Sequence, residues 1–257
     1  MNSFFRPRKE VSIDIEIKIA RPEPPDTRDA SRVQSEKVEQ GAAPVPARPP
    51  PARLLLIRHG ESTWNEVHRI QGQLDPPLSA RGRRQAELLA RRLSNRRPEA
   101  IYASDLKRAM ETAAPIERET RLEAMPMQEL REVFLGEWEG LSTEEVTARF
   151  PDAWAKWTVE PSWDLVPDGE GAEAFEGRVE AALQSVLRRH PHGEAIVVTH
   201  GGVIQVALHQ VMGRPSRGLF PFRISNASIT VIEKREGRMV IAGVNDVGHL
   251  DDAERPG

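Results

Sequence analysis

Cysteine is absent from the 257 residues, which removes disulfides, thiolate nucleophiles and cysteine-based metal sites together. An excess of one charge is also missing: 36 Lys and Arg stand against 39 Asp and Glu, so no basic face of the kind that attracts nucleic acid is advertised. No apolar run approaches the roughly 18 to 20 residues that span a bilayer, and the basic residues of MNSFFRPRKE precede no apolar stretch of the secretory type. No internal repeat is apparent. These absences predict a cytoplasmic chain with neither nucleic acid nor membrane as partner, whose nucleophile must be histidine, serine, threonine, lysine or a carboxylate. The hydrophobic share of 39% is enough for one sizeable core.

Proline sets the first boundary. RPEPP and APVPARPPPAR leave residues 21 to 52 with little apolar content and no helical or strand period, a composition that does not repay the entropy of ordering. This stretch is expected to be a flexible, partly polyproline-like linker. Ahead of it, Val11, Ile13, Ile15, Ile17 and Ile19 alternate with polar residues in the period of a half-buried strand. Residues 1 to 52 therefore read as an N-terminal extension, residues 53 to 250 as the working domain and residues 251 to 257 as a short tail.

From Arg53 onward strand and helix patterns alternate, which predicts an α/β domain with a largely parallel sheet. LLLI (54 to 57) and AIVVT (195 to 199) are the most continuously apolar short runs, as central strands covered on both faces should be. Ala86, Leu89, Ala90 and Leu93 mark one helix face, and Leu106, Ala109, Met110 and Ala113 a second, with Ser104 as its N-cap. Ser142 and Glu145 have the form of a capping box. Phe175, Val179, Leu183 and Val186 predict a long helix ending at the Arg188, Arg189, His190 cluster, and SITVIEKREGRMVIAGV predicts a hairpin turning near Gly237.

Both apolar runs end in histidine and glycine: RHG in one case, THGG in the other. Ligand crevices of open α/β sheets lie beyond the carboxyl ends of the strands, so His59 and His200 face one cleft if their strands are neighbours. Gly60, Gly201 and Gly202 would let backbone approach a bulky anion closely. Arg58 adjoins His59, and Arg108 opens a helix whose free N–H groups already favour negative charge. Taken singly, a histidine after a strand is more often structural, and an arginine on an amphipathic helix is usually solvated. Together they suit a phosphoryl group, whose transfer depends mostly on positioning and electrostatics.

With these residues in place, the chain resembles the histidine phosphatase superfamily, also called the phosphoglycerate-mutase-like family. The successive blocks RHGES with Asn65 beyond it, GQLDPPLSARGRRQA, ASDLKRAMETA, LREVFLGEWEG, PDGEGAEAF, VVTHGGVI and VNDVGHL carry the resemblance over roughly residues 53 to 250. It implies a three-layer α/β/α sandwich with a mostly parallel central sheet. It implies His59 as the nucleophile, Arg58, Arg108 and His200 as the phosphate pocket, and Asn65 as a further phosphoryl contact. Glu132 resembles the acid that protonates the leaving oxygen, ahead of Glu129, because it stands four residues before Gly136. Where the family block reads Gly-Glu-Ser, this chain has Gly169-Glu170-Gly171, one hydroxyl fewer.

The chemistry agrees with those roles. His59 attacks phosphorus only when neutral, and guanidinium neighbours disfavour the imidazolium; His200, which only binds oxygens, can work charged. Two histidines and a carboxylate also suggest a metal centre, but adjacent arginines repel a cation and no HExxH spacing occurs, so neither metal nor other cofactor is expected. Trp138, Trp154, Trp157, Trp163 and Phe150 read either as the leaving-group wall or as the core of a helical flap. His68, His190, His192 and His209 read as surface or helix-end residues.

The reading is a metal-independent phosphatase of a small phosphorylated metabolite, acting through phosphohistidine. Because the family's mutases tend to carry longer insertions after the acid and a longer tail, hydrolysis is favoured over transfer. Phosphoglycerate mutase is the enzymatic alternative, and a non-catalytic phospholigand-binding or docking protein the alternative from another class. Ribazole phosphate, a sugar phosphate or a broad set remain open as substrates, and a homodimer is admitted.

Overall fold

A computed structural model of the chain describes residues 50–216, 218 and 221–250. The expected strand at 11 to 19, the linker as far as residue 49 and the tail at 251 to 257 lie outside the described residues. At the end of the expected linker, Ala52 is buried and its carbonyl accepts from the Lys234 N–H.

The described elements run β1 (Arg53–Arg58), α1 (Thr63–Glu66), α2 (Ala80–Leu93), β2 (Ala100–Ser104), α3 (Lys107–Thr120), β3 (Ala124–Met127), α4 (Thr143–Arg149), α5 (Pro151–Val159), α6 (Gly171–Arg189), β4 (Glu194–Thr199), α7 (Gly201–Val211), β5 (Ile229–Arg235) and β6 (Arg238–Asp246). The strands form one sheet in the order β3-β2-β4-β1-β5-β6. β1 to β4 are parallel, while β5 runs antiparallel to β1 and pairs with β6 as a hairpin. The hairpin turn falls at Glu236-Gly237, both with positive φ, the geometry that matches the twist of the flanking strands.

The continuous apolar runs are explained by burial on both sides. Leu54 and Leu56 of β1 pack into one core with Tyr102, Val197, Phe175 and Ile204, against α6 and α7. Leu55 and Ile57 pack into the other with Ile101, Ile196, Leu89 and Ile116, against α2 and α3. The result is the expected three-layer sandwich. Truncating a fully buried leucine such as Leu56 should cost about 2–5 kcal/mol. A third, smaller cluster of Trp138, Val146 and Val166, with Trp154 and Trp157 packed on it, lies in the 134 to 166 segment.

Serine caps open α1, α2 and α4. Ser142 and Glu145 form the capping box expected for α4, and a second one, Ser62 with Asn65, starts α1. Ser104 does not cap α3: it ends β2, the helix begins two residues after Asp105, and the N-cap Leu106 supplies no side-chain bond.

Candidate active site

Parallel pairing of β1 with β4 sets Arg58 opposite Thr199. The next residue on each strand is a histidine, so His59 and His200 leave the sheet side by side, their ring centroids 5.1 Å apart. The glycines that follow keep this exit tight. A Cβ on Gly60 would stand 2.6 Å from the Gly82 carbonyl oxygen, and the Gly60 N–H donates to Thr112 Oγ1 at 3.0 Å, tying the turn to α3.

His59 is buried, and its Nδ1 lies 2.7 Å from the Gly60 carbonyl oxygen. A carbonyl only accepts, so the proton belongs on Nδ1 and the Nε2 lone pair is left for chemistry. Burial, then Arg108, then Arg58 hold the His59 pKa well below 6.5, with the Gly60 bond opposing them. This is a neutral imidazole with its nucleophilic nitrogen selected by the backbone.

His200 is buried as well. Burial is the first cause of a pKa held well below 6.5, followed by Arg108, His59 and Arg58, so it too rests neutral and not charged. Its Nε2 is 2.8 Å from Ser104 Oγ. With the serine hydroxyl donating, the His200 proton sits on Nδ1, which has no partner in the protein. Ser104 therefore orients a ring where sequence reasoning gave it a helix to cap; strand pairing of β2 with β4 brings the two together.

Arg108 is 1% exposed yet carries a guanidinium. Its Nη1 donates to the Leu74 carbonyl and its Nη2 to the Gly72 carbonyl, both at 2.7 Å. Burial lowers its pKa to about 10, against the opposing pull of Glu132 and Asp75, so it remains cationic at neutral pH. Arg58 is anchored through Nη1 to the Ile224 carbonyl at 2.6 Å. The Nε atoms of Arg58 and Arg108 are buried without an acceptor, as is His200 Nδ1. With His200 in that tautomer, three buried donors surround one imidazole without an acceptor in the protein; unpaired buried donors are costly, and an anion is the chemistry that suits them.

Glu132 lies across the same cavity, its Oε1 accepting from the Val133 N–H at 3.0 Å and its Oε2 from the Gly202 N–H at 3.1 Å, in the first turn of α7. A Cβ on Gly202 would come within 3.1 Å of the Glu132 carboxyl carbon and closer still to its oxygen, so a larger residue there would displace that carboxylate. Glu129 is exposed in a short 3-10 turn and does not line the cavity, whereas Glu132 does. Gly201 begins α7 against Arg58. Asn65 does not line the cavity; its Oδ1 serves the α1 capping box and accepts from Asn226 Nδ2 at 3.2 Å, leaving its amide nitrogen as the end available to an anion.

Sequence reasoning missed Arg178. From α6 its Nε and Nη2 reach both oxygens of Glu170, its Nη1 donates to the carbonyls of Glu129 and Arg131, and its Nη2 donates to the carbonyl of Glu132. All five guanidinium donors are used, four acceptors belonging to the acid loop or to the carboxylate that also receives the Phe134 N–H. Its place on a helix face gave no sign of this. The hydroxyl missing at Gly171 is also accounted for: Gly171 has φ +75° and Asp164 Oδ1 accepts from the Ala172 N–H at 2.9 Å, starting α6 in its stead.

His209 lies in the last turn of α7, a helix end as expected, and is buried with Nδ1 3.0 Å from the Pro215 carbonyl oxygen. His190 closes α6 and bridges the Tyr102 hydroxyl to Glu99. No group of three or more metal-ligating side chains occurs among the described residues, and no described helix is long and apolar enough to cross a membrane.

Residues 54–247 match the histidine phosphatase superfamily (branch 1). The chain belongs to that family. It is 36% identical over 200 residues to phosphoserine phosphatase 1 of Hydrogenobacter thermophilus, covering 78% of this chain and 95% of the other. It is 34% identical, over 77% of this chain and 82% of the other, to the metal-independent phosphoserine phosphatase of Arabidopsis thaliana. Proteins named probable phosphoglycerate mutase match at similar identity. Among solved structures, the YhfR protein of Bacillus stearothermophilus superposes with a TM-score of 0.72 at 33% identity, covering 78% of this chain and all of that one.

Proposed function

We propose that the chain is a metal-independent phosphatase of a small phosphomonoester, acting through a phosphohistidine on His59. The observation that carries the reading is the neutral His59 ring, its Nε2 selected by the Nδ1 bond to Gly60, among three buried donors that lack acceptors. Relatives named phosphoserine phosphatase support hydrolysis. The absence of cysteine fits a cytoplasmic enzyme.

In the first half-reaction the phosphoryl group enters the cradle of Arg58 Nε, Arg108 Nε and His200 Nδ1. His59 Nε2 attacks phosphorus, the bridging P–O bond breaks, and the departing oxygen takes a proton from Glu132. In the second, the Glu132 carboxylate takes a proton from water, the water oxygen attacks phosphorus, and the P–N bond breaks to return neutral His59 and inorganic phosphate. The guanidinium groups supply the charge stabilisation that a metal supplies elsewhere and repel one from this site.

Phosphate release from a panel of phosphomonoesters in EDTA tests the reading. Wild type should turn over and His59→Ala should not. Loss of activity in EDTA with recovery on added metal would overturn the metal-independent assignment. Relatives named as mutases favour one alternative; conversion of 3-phosphoglycerate to its 2-isomer with a bisphosphoglycerate primer, faster than hydrolysis, would establish it.

A further inference from the structure

The cavity over His59 measures about 300 Å³ and has two unlike halves. The phosphoryl half holds the cations. The other half is walled by Val133, Leu135 and the indoles of Trp138, Trp154, Trp157 and Trp163, and among the described lining residues it contains no charged side chain beyond Glu132, which the chemistry already uses. Trp154 and Trp157 stand three residues apart on α5, and so on one face of it. Both are only half-buried, with apolar surface left open beside the cavity.

These rings are not loose. Trp138 meets Trp154 at 5.8 Å and Trp157 at 5.3 Å between centroids, Trp157 meets Trp163 at 5.3 Å, and Trp163 meets Phe175 at 6.0 Å, mostly edge to face. Such pairing holds indoles in fixed orientations, and Phe175 belongs to the main core. The wall is thus anchored to the sandwich and built before any ligand arrives.

We infer that this wall is a leaving-group subsite for a bulky, uncharged, largely apolar alcohol or phenol, one ring in size. The inference rests on the phosphatase reading of the same site and names its substrate class. An ammonium or carboxylate on the leaving group, as phosphoserine carries, finds no counter-ion on this wall and loses hydration on entering it. An aromatic ring gains both dehydration and ring contacts.

The test compares kcat/KM of the purified full chain for benzyl phosphate and O-phosphoserine. Both release alkyl alcohols that need a proton, so the comparison reads the subsite and not leaving-group activation. Benzyl phosphate should be preferred by about 10- to 100-fold, the range that apolar pocket contacts supply. Trp154→Ala should narrow that ratio about tenfold, and Trp154→Lys, which adds a cation to the wall, should narrow it further by improving phosphoserine. Because the readout is a ratio within one preparation, a partly misfolded variant lowers both rates and leaves it unmoved. A ratio at or below one in wild type, or one that neither substitution moves, overturns the subsite while leaving the phosphatase standing. Absence of hydrolysis of every phosphomonoester would overturn both.

Discussion

The two halves of the cavity are built by different means. The phosphoryl half comes from strand exits and one helix start, its geometry dictated by the register of β1 against β4 and by backbone acceptors at Gly60, Gly72, Leu74 and Ile224. The leaving-group half comes from the 134 to 166 segment, which packs as its own small cluster. The first half is charged, buried and tied to the sheet, whereas the second is aromatic and held by ring contacts. Chemistry and selectivity can therefore change separately, since substitutions on the tryptophan wall leave the donors around His59 in place.

The sharpest way to break this division is to remove the nucleophile. His59→Ala should lower kcat by at least about 10⁴-fold on every phosphomonoester, because a covalent route has no substitute once its nucleophile is gone. An equal loss from any tryptophan substitution would erase the distinction. Next in size is Glu132→Gln, expected to cost about 10²- to 10⁴-fold on benzyl phosphate, and much less on p-nitrophenyl phosphate, whose leaving group departs without a proton. Equal losses on both would deny Glu132 the acid role.

Arg178→Lys should have an intermediate effect. Lysine offers a point charge and cannot reproduce five fixed donors, so the acid loop loosens and kcat on benzyl phosphate should fall about tenfold, with the p-nitrophenyl phosphate rate much less affected. A merely structural arginine would lower both rates alike, with a matching loss of thermal stability.

The smallest expected effect concerns pH. His59 is active when neutral, and its folded pKa lies below 6.5; the acid limb of kcat/KM should therefore fall below that value. His59 and His200 both bind protons less readily folded than unfolded, so below about 6.5 the unfolded chain gains protons that the native state refuses, and stability declines as pH falls. Thermal melts should show full stability above that pH and a falling Tm below it, with the decline reduced in His200→Asn.

The same contrast explains what could be read from the sequence. Leu54 to Ile57 and Ala195 to Thr199 announce central strands because two-sided burial leaves an unbroken apolar run, and the histidine after each run follows from where such strands end. Capping by Ser142 and the core face of α6 are likewise local patterns. The partners of Ser104 and Arg178 are not local: one lies 96 residues away, and the carbonyls of the acid loop lie 46 to 49 away. The neutrality of His200 is not local either, since it depends on burial and on guanidinium groups that only the fold brings near. The four tryptophans read as leaving-group wall or flap core; in the structure they line the cavity over His59 and pack into the clusters behind it.

The account depends most on the atom that receives phosphorus. Rapid quenching of the full chain with a labelled phosphomonoester, followed by mass spectrometry of peptides kept at alkaline pH, measures it directly. The account predicts an acid-labile, base-stable phosphoryl group on His59, absent in His59→Ala; label on the neighbouring Ser104 or Thr112 hydroxyl would contradict it.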